Sequence, residues 1–237
     1  PVPWSAHAPR WTRYEDPALE TPFETIQFGY DGDPFARPER GLAMLNQLAD
    51  MGKHVNFSTK ALLEGPMMAA LKALRQRMEA LGTTLSALVS LSCWEAAPLL
   101  EPHTPSPTER IRTVTNLAQN GIPVFIALRP VFPHIPDQEY ERIVIEGVHA
   151  GSEGFIVGPL YADAHGQFVR FIPPAALEAV PRRTHPVPWS AHAPRWTRYE
   201  DPDRLQRLMQ IIEQQQGRAF VSSADAVRLA HQREAVR

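Results

Sequence analysis

Polar and charged residues gather directly after short apolar segments of this sequence. The set contains acids, a lysine, an arginine, small hydroxyls, a glycine and an aromatic: Asp31, Gly32, Asp33, Lys60, Ser90, Ser92, Arg129 and Tyr161. Charged groups and hydroxyls can together hold a zwitterionic ligand that carries a ribose, and a glycine lets the backbone approach that ligand closely. We therefore predict that this set binds a small, nucleotide-like molecule.

Five apolar segments precede these residues and are predicted to be strands. They are rich in β-branched and aromatic residues, as strands buried on both faces are, and they are Thr25–Tyr30, His54–Thr59, Leu85–Ser92, Val124–Leu128 and Phe155–Val157. The amphipathic stretches between them end at glycines, as helices do, at Gly52, Gly82, Gly121 and Gly151.

Two of these stretches carry further helix signals. One has an apolar stripe at helical spacing, formed by Met67, Leu71, Leu74, Met78 and Leu81. Another has a complete start signal, with Ser106 as the cap, Pro107 in the first turn and Glu109 three residues after the cap.

The alternation of strand and helix predicts an α/β fold with a parallel sheet and right-handed crossovers. An open doubly wound sheet and a full or partial barrel both fit the spacing. In each of these folds, ligands bind at the carboxyl ends of the strands, which is where the polar set lies.

Composition excludes several classes of protein. Hydrophobic residues make up 43% of the chain and charged residues 21%, which predicts a folded core. The net charge of −2 gives no electrostatic reason to expect a nucleic-acid partner. No apolar run approaches the roughly 18 residues of a membrane helix, and nothing marks the chain for secretion, so we expect a cytoplasmic protein without a membrane partner.

The chain contains a long identical repeat. Residues 1–17 and residues 186–202 both read PVPWSAHAPRWTRYEDP. Evolved structural repeats diverge on their surfaces and need three or more copies, so this pair indicates a recent duplication, an engineered one or an error of sequence assembly, and the last two are favoured. The second copy runs into a predicted helix and is expected to be the native one. We predict a duplicated, loop-like segment at 1–20, a barrel core at 21–175, and an extension of loop and helices at 176–237.

The strand ends resemble those of the radical S-adenosylmethionine (SAM) superfamily, in particular its spore photoproduct lyase-like branch. The matching pieces include FGYDGDPFARPER (28–40), FSTKALL (57–63), VSLSCWEAAPLLEPHTPSPTERI (89–111), NGIPVFIALRPVFPHIPD (120–137) and GSEGFIVGPLY (151–161). A stretch at 189–205 is also similar to that branch. The resemblance implies a partial (β/α) barrel in which a 4Fe–4S cluster, held by a CxxxCxxC motif, cleaves SAM reductively. The resulting radical removes hydrogen from a substrate, which for this chain is unknown; a nucleic acid is suggested only by analogy with the family.

By the same resemblance, several of the polar residues would contact SAM. Asp33 would meet its amino group, Lys60 its carboxylate or ribose, and Ser92 its ribose. Arg129 and the segment 155–161 would lie near the carboxylate and adenine sides.

The sequence departs from the family at the cluster. Cys93 is its single cysteine, and the first copy of the repeat stands where the cluster-bearing unit is expected. A 4Fe–4S cluster needs at least three protein thiolates here. We therefore expect a barrel with its first β/α unit missing or replaced, without a cluster and inactive in SAM cleavage. The alternative is a cluster-less barrel that binds a nucleotide, SAM or a partner without catalysis.

Several of these residues also have a purely structural interpretation. Asp31 and Asp33 suit a turn, and Lys60 can simply face solvent. Cys93 is more typical of a small buried hydrophobic residue than of a nucleophile. Glu101 can simply shape a proline-rich loop. Arg129 is the exception, because a charge inside an apolar run must find a partner or a ligand.

Overall fold

A parallel sheet is the central feature of the computed structural model, which describes residues 24–29, 32–162, 169–186 and 195–234. The strands in chain order are β1 (Thr25–Phe28), β2 (His54–Thr59), β3 (Leu85–Ser90), β4 (Val124–Leu128), β5 (Phe155–Val157), β6 (Leu160–Ala162), β7 (Arg182–Pro186), β8 (Arg195–Tyr199) and β9 (Ala219–Phe220). The helices are α1 (Pro38–Ala49), α2 (Gly65–Ala80), α3 (Ala97–Leu100), α4 (Pro107–Gln119), α5 (Asp137–His149), α6 (Pro174–Glu178), α7 (Pro202–Gln214) and α8 (Ser223–Glu234). Strands β1, β2, β3, β4, β5 and β9 form the parallel sheet in that order.

Helices cover the outer face of this sheet. The apolar faces of α1, α2, α4, α5 and α7 bury strand residues such as Val55, Phe57 and Ile126 completely. α5 approaches the sheet so closely that a methyl group on Gly147 would lie 2.8 Å from Phe155 Cε1. β1 and β9 are the two ends of the sheet, so the described residues form a partial barrel.

The inner face of the sheet is polar on one side and apolar on the other. Asn56 of β2 and Ser86 of β3 are paired in register, and the Asn56 side-chain amide donates a hydrogen bond of 2.8 Å to the Ser86 hydroxyl. The other side is an apolar cluster that α8 covers, formed by Leu88, Phe125, Ile156, Ala226 and Ala230. All of these inner-face residues are buried, so this part of the barrel is filled by the chain itself.

Two stacked histidines also hold α8 against the sheet. The rings of His54 and His231 lie 3.8 Å apart between centroids, with an interplanar angle of 16°. His54 Nδ1 accepts a hydrogen bond from the backbone N–H of Thr84 at 3.0 Å, so this nitrogen carries no proton. Burial, and then the neighbouring His54, lowers the pKa of His231 to about 4.

Acid is therefore expected to loosen α8. Because His231 has a lower pKa in the folded chain than the ordinary 6.5, the unfolded chain binds more protons between pH 6.5 and about 4. The stabilisation is present above pH 6.5 and is lost as the pH falls toward 4. The protection factors of the α8 amides, which correct exchange rates for their intrinsic pH dependence, should fall over that interval. His231→Phe should abolish the response, whereas His149→Phe, at an exposed position of α5, should keep it; an acid response that survives His231→Phe would contradict the explanation.

A second sheet is antiparallel and has the order β6, β8, β7. Its central strand β8 belongs to the second copy of the repeat, and α7 comes next with Asp201 as its cap, accepting a hydrogen bond of 3.0 Å from the Arg204 N–H. The structure thus adds β7, β8 and β9 to the C-terminal extension, for which the sequence predicted only loop and helices. The first copy of the repeat lies outside the described residues.

The sequence predictions for the sheet are confirmed, with small differences at the ends. All five predicted strands are present, but β1 ends at Phe28 and β3 at Ser90. The four helix-ending glycines have φ between 65° and 88°, and Ser106 and Glu109 form a reciprocal capping box. The prediction that Leu81 belongs to the apolar stripe of α2 is wrong, because Leu81 lies just beyond the helix and is 62% exposed. None of the helices in the described ranges has both the length and the apolarity of a membrane span.

Candidate functional site

The carboxylate of Asp33 joins the ends of β1 and β2. Its Oδ1 accepts hydrogen bonds from the Phe35 N–H at 2.8 Å and the Thr59 hydroxyl at 2.9 Å. Its Oδ2 accepts from the Lys60 N–H at 2.6 Å and from the same hydroxyl at 3.1 Å. Asp33 therefore caps the 3-10 turn at 34–36 and fixes the backbone of Lys60. Gly32 is exposed beside it, and Asp31 lies outside the described residues.

A charged network lies at the ends of β2 and β3. Lys60 Nζ is 2.5 Å from Glu101 Oε1, and the other oxygen of Glu101 accepts from Arg110 Nη1. Arg110 is completely buried, although it carries a full charge. It also donates to the carbonyl oxygens of Pro105 at 2.8 Å and Ser90 at 3.1 Å, and to the Thr104 hydroxyl at 2.5 Å. Such dense pairing is what a buried guanidinium requires.

The two cations keep Glu101 ionised. Burial alone would raise the pKa of its carboxyl, but Lys60 and Arg110 outweigh burial and the pKa is lowered. Lys60 differs from its partners because its side chain remains 34% exposed, whereas that of Glu101 is 5% exposed. The network therefore presents one cation toward solvent at the carboxyl edge of the sheet.

The serines at the end of β3 have different environments. Ser90 is the last residue of the strand, is half-buried, and shares the inner face with its neighbour Ala127 of β4. Ser92 is buried, and its hydroxyl finds no hydrogen-bond partner in the described part of the chain. Cys93 beside it is fully buried, and burial, then the charge of Glu101, raises the pKa of its thiol to about 12. The interpretation of Cys93 as a buried, unreactive residue is consistent with this environment.

Arg129 and Tyr161 lie in different parts of the fold. Arg129 comes directly after β4 and is half-buried, and a methyl group on Gly158 would lie 3.5 Å from its Cβ, so its side chain begins beside the residue that follows β5. Tyr161 is the middle residue of β6, in the antiparallel sheet. Its ring lies 5.2 Å from that of His185 and 5.8 Å from the Arg198 guanidinium.

The structure thus brings some predicted site residues into contact and leaves others apart. Asp33, Lys60 and Ser90 belong to one connected network through Glu101 and Arg110. Arg129 follows β4, whereas Tyr161 lies in β6 of the antiparallel sheet, against His185 and Arg198.

Two members of the network were not predicted as site residues. Arg110 was missed, and Glu101 was given only a loop-shaping role. A signal for Arg110 was present in the sequence, because it lies at helical spacing from the buried Thr113, Val114 and Leu117 of α4.

The donor atoms do not fit a 4Fe–4S cluster. The sequence supplies one thiol, that of Cys93, and its raised pKa keeps it protonated. Within the described ranges, no three His, Cys, Asp or Glu side chains are placed to share a metal ion. This chain by itself therefore cannot provide the three thiolates that such a cluster needs.

The arrangement of sheet and helices is similar to that of radical SAM enzymes of known structure. A mutant of spore photoproduct lyase superposes with a TM-score of 0.64 and 14% identity, covering 88% of this chain and 63% of that one. A second mutant, with bound S-adenosylmethionine and dinucleoside spore photoproduct, gives a TM-score of 0.63 with the same identity and coverage. A domain of pyruvate-formate lyase-activating enzyme from Bacteroides vulgatus gives 0.54 and 12% identity, covering 84% of this chain and 98% of that domain.

These similarities establish the fold. The chain matches no protein-family model and no curated protein. It spans about two thirds (63%) of the length of the spore photoproduct lyase structures. The chain has the partial (β/α) barrel fold of the radical SAM type, as the sequence resemblance implied.

Proposed function

We propose that the carboxyl edge of this barrel binds SAM or a closely related adenosyl compound. In this proposal the chain keeps the SAM-binding edge of a radical SAM-type barrel. It does not hold the 4Fe–4S cluster that would reduce SAM, because its donor atoms do not fit one. Reductive cleavage of SAM and hydrogen abstraction are accordingly not expected from this polypeptide alone. The proposal includes no nucleic acid, since the net charge of −2 gives no electrostatic support for one.

The placement of Lys60 carries this proposal. Its ammonium stands at the end of β2, partly exposed, and is oriented by a carboxylate that cannot turn away because Arg110 holds it. A free carboxylate, such as that of the methionyl part of SAM, can accept a hydrogen bond from this ammonium. In open and barrel-type parallel folds, the carboxyl edge is where ligands bind.

We assign the remaining residues from their positions along the edge. Asp33 already accepts hydrogen bonds from three donors of this chain, so we propose that it positions Lys60 and the adjacent glycine turn at Gly32. The hydroxyls of Ser90 and Ser92 at the end of β3 are the proposed ribose contacts. Arg129 and Tyr161 are proposed to lie near the carboxylate and adenine sides, because they come after β4 and β5.

Titration calorimetry of the chain with SAM and with S-adenosylhomocysteine tests the proposal. Lys60→Ala should weaken binding of both compounds about tenfold or more, because a charge-assisted hydrogen bond is worth roughly 1.5–3 kcal/mol. The matched control is Lys72→Ala, at an exposed position of α2, which should bind as the parent does. If neither compound binds the parent chain, or if the two lysine variants bind equally well, the proposed function is wrong.

A further inference from the structure

The central strand of the antiparallel sheet has a second copy in the same polypeptide. Residues 195–201, which form β8 and the cap of α7, read RWTRYED, and residues 10–16 read the same. A strand position is specified by the backbone pairing and side-chain contacts that its sequence makes. Because the sequences are identical, the pairing that residues 195–199 make with β6 and β7 can also be made by residues 10–14.

Those contacts are specific. The strand pairs on one side with β6, where Tyr161 faces Arg198, and on the other with β7, where Arg183 faces the same residue. Glu200 accepts hydrogen bonds from the guanidinium groups of both Arg183, at 3.2 Å, and Arg198. Tyr199 packs against the main core. Arg13, Tyr14 and Glu15 are the counterparts of Arg198, Tyr199 and Glu200.

The two copies differ in the segments that come after them. The second copy continues into α7, whose Arg204 donates to the carbonyl oxygens of Phe132 and Pro133 and to Asp137. The first copy continues as Ala18-Leu19-Glu20, so it can supply the strand but not this helix. β8 therefore occupies the position between β6 and β7 in the native fold. The first copy competes for that position but lacks the additional contacts that α7 provides.

The fold favours exchange between molecules over exchange within one. β8 leads into α7 at the carboxyl edge near Phe132, whereas β1 begins at the amino edge with Thr25, at the opposite end of the sheet. The four strand spacings from β1 to β5 and the height of a six-residue strand are each about 20 Å. The straight line between these opposite corners is therefore about 28 Å, only just within the roughly 30 Å that the nine residues 16–24 span at full extension. α8 covers the inner face along that line, so a chain within one molecule would have to take a longer route around it.

We propose that β6 and β7 form an interaction surface for residues 10–14 of a second copy of this chain. Strand exchange at this surface links two molecules into a dimer without new contacts, which is the mechanism of domain swapping. The exchange puts a strand of identical sequence beside Tyr161 of β6, so it neither requires nor removes the function proposed above.

Paired proline substitutions test the exchange, because each can be placed in either copy. Thr197→Pro removes a ladder hydrogen bond from the central strand. It should raise the dimer fraction about tenfold in sedimentation velocity measurements, since weakening the resident strand shifts the balance toward the competitor. Thr12→Pro should have no such effect, and the double variant T12P/T197P should lose the dimer. A T197P chain that stays monomeric, or a double variant that still dimerises, would overturn the proposal.

Two further measurements keep the test decisive if T197P folds poorly. At high concentration the parent chain should show a minor dimer that is absent from T12P and from a chain lacking residues 1–17; equal dimer fractions in all three would refute exchange. A labelled peptide of residues 8–17 should bind the T197P chain that lacks residues 1–17. The same peptide with Thr12→Pro should not bind, and equal binding of both peptides would likewise refute exchange.

Discussion

Replacement of Arg110 by methionine is expected to lower the free energy of unfolding by about 3–5 kcal/mol, as removal of one partner from a buried ion pair does. Arg110 is fully buried, so its loss leaves the carbonyl oxygens of Pro105 and Ser90 and the Thr104 hydroxyl without their donor. Glu101 would keep only Lys60. Urea unfolding of the parent and the variant measures the difference.

Two comparisons show whether the buried charge is responsible. Arg112→Met changes an exposed arginine of the same helix, whose distance to Glu64 is 3.5 Å, and should cost less than about 0.5 kcal/mol. The double variant R110M/E101M removes both buried charges and should recover part of the loss, because an apolar pair often replaces a buried ion pair at little cost. An R110M chain as stable as R112M would contradict the role given to the network.

Replacement of Arg204 by methionine is the second large effect, expected to cost about 2–4 kcal/mol. The guanidinium of this residue ties α7 to the segment after β4. It donates to Asp137 Oδ1 at 2.7 Å, to the Phe132 oxygen at 2.8 Å and to the Pro133 oxygen at 3.1 Å, and it also contacts the Ile135 oxygen. Without it, these acceptors lose their donor.

The effect of Arg204→Met should be local as well as global. Hydrogen exchange should accelerate in residues 131–137. The affinity for SAM should also fall, because the proposed ligand contact Arg129 lies just before that segment. Arg207→Met is the matched control, since Arg207 lies about one turn further along α7, is 54% exposed and approaches Asp137 Oδ2 only to 3.7 Å. Equal exchange rates in the two variants would show that Arg204 does not hold the segment.

Local signals in the sequence predicted most of the main sheet. The predicted strands Val124–Leu128 and Phe155–Val157 are confirmed residue for residue. Both are short apolar runs bounded by turn residues and separated by a predicted helix, a pattern typical of buried parallel strands. The start of α4 is confirmed because the capping box of Ser106 and Glu109 is encoded within four residues. The prediction for Leu81 was wrong because helical spacing alone does not show where a helix ends.

The site was harder to predict because its groups are joined across the fold. Lys60 follows β2, whereas Glu101 lies 41 residues further along the chain at the end of α3, so only the tertiary fold brings their side chains together. The position of β8 was also not predictable from its own residues, since the same letters occur at 10–14. The second copy is distinguished by α7 and its contacts with residues 132–137, which are tertiary.

Hydrogen exchange of the chain with and without S-adenosylhomocysteine tests the central claim most directly. We predict slower exchange confined to the carboxyl edge, in residues 59–61, 90–94, 129–132 and 158–161. Protection at the amino edge, protection limited to the antiparallel sheet, or no protection at saturating ligand would contradict the claim that this edge is an adenosyl-binding site.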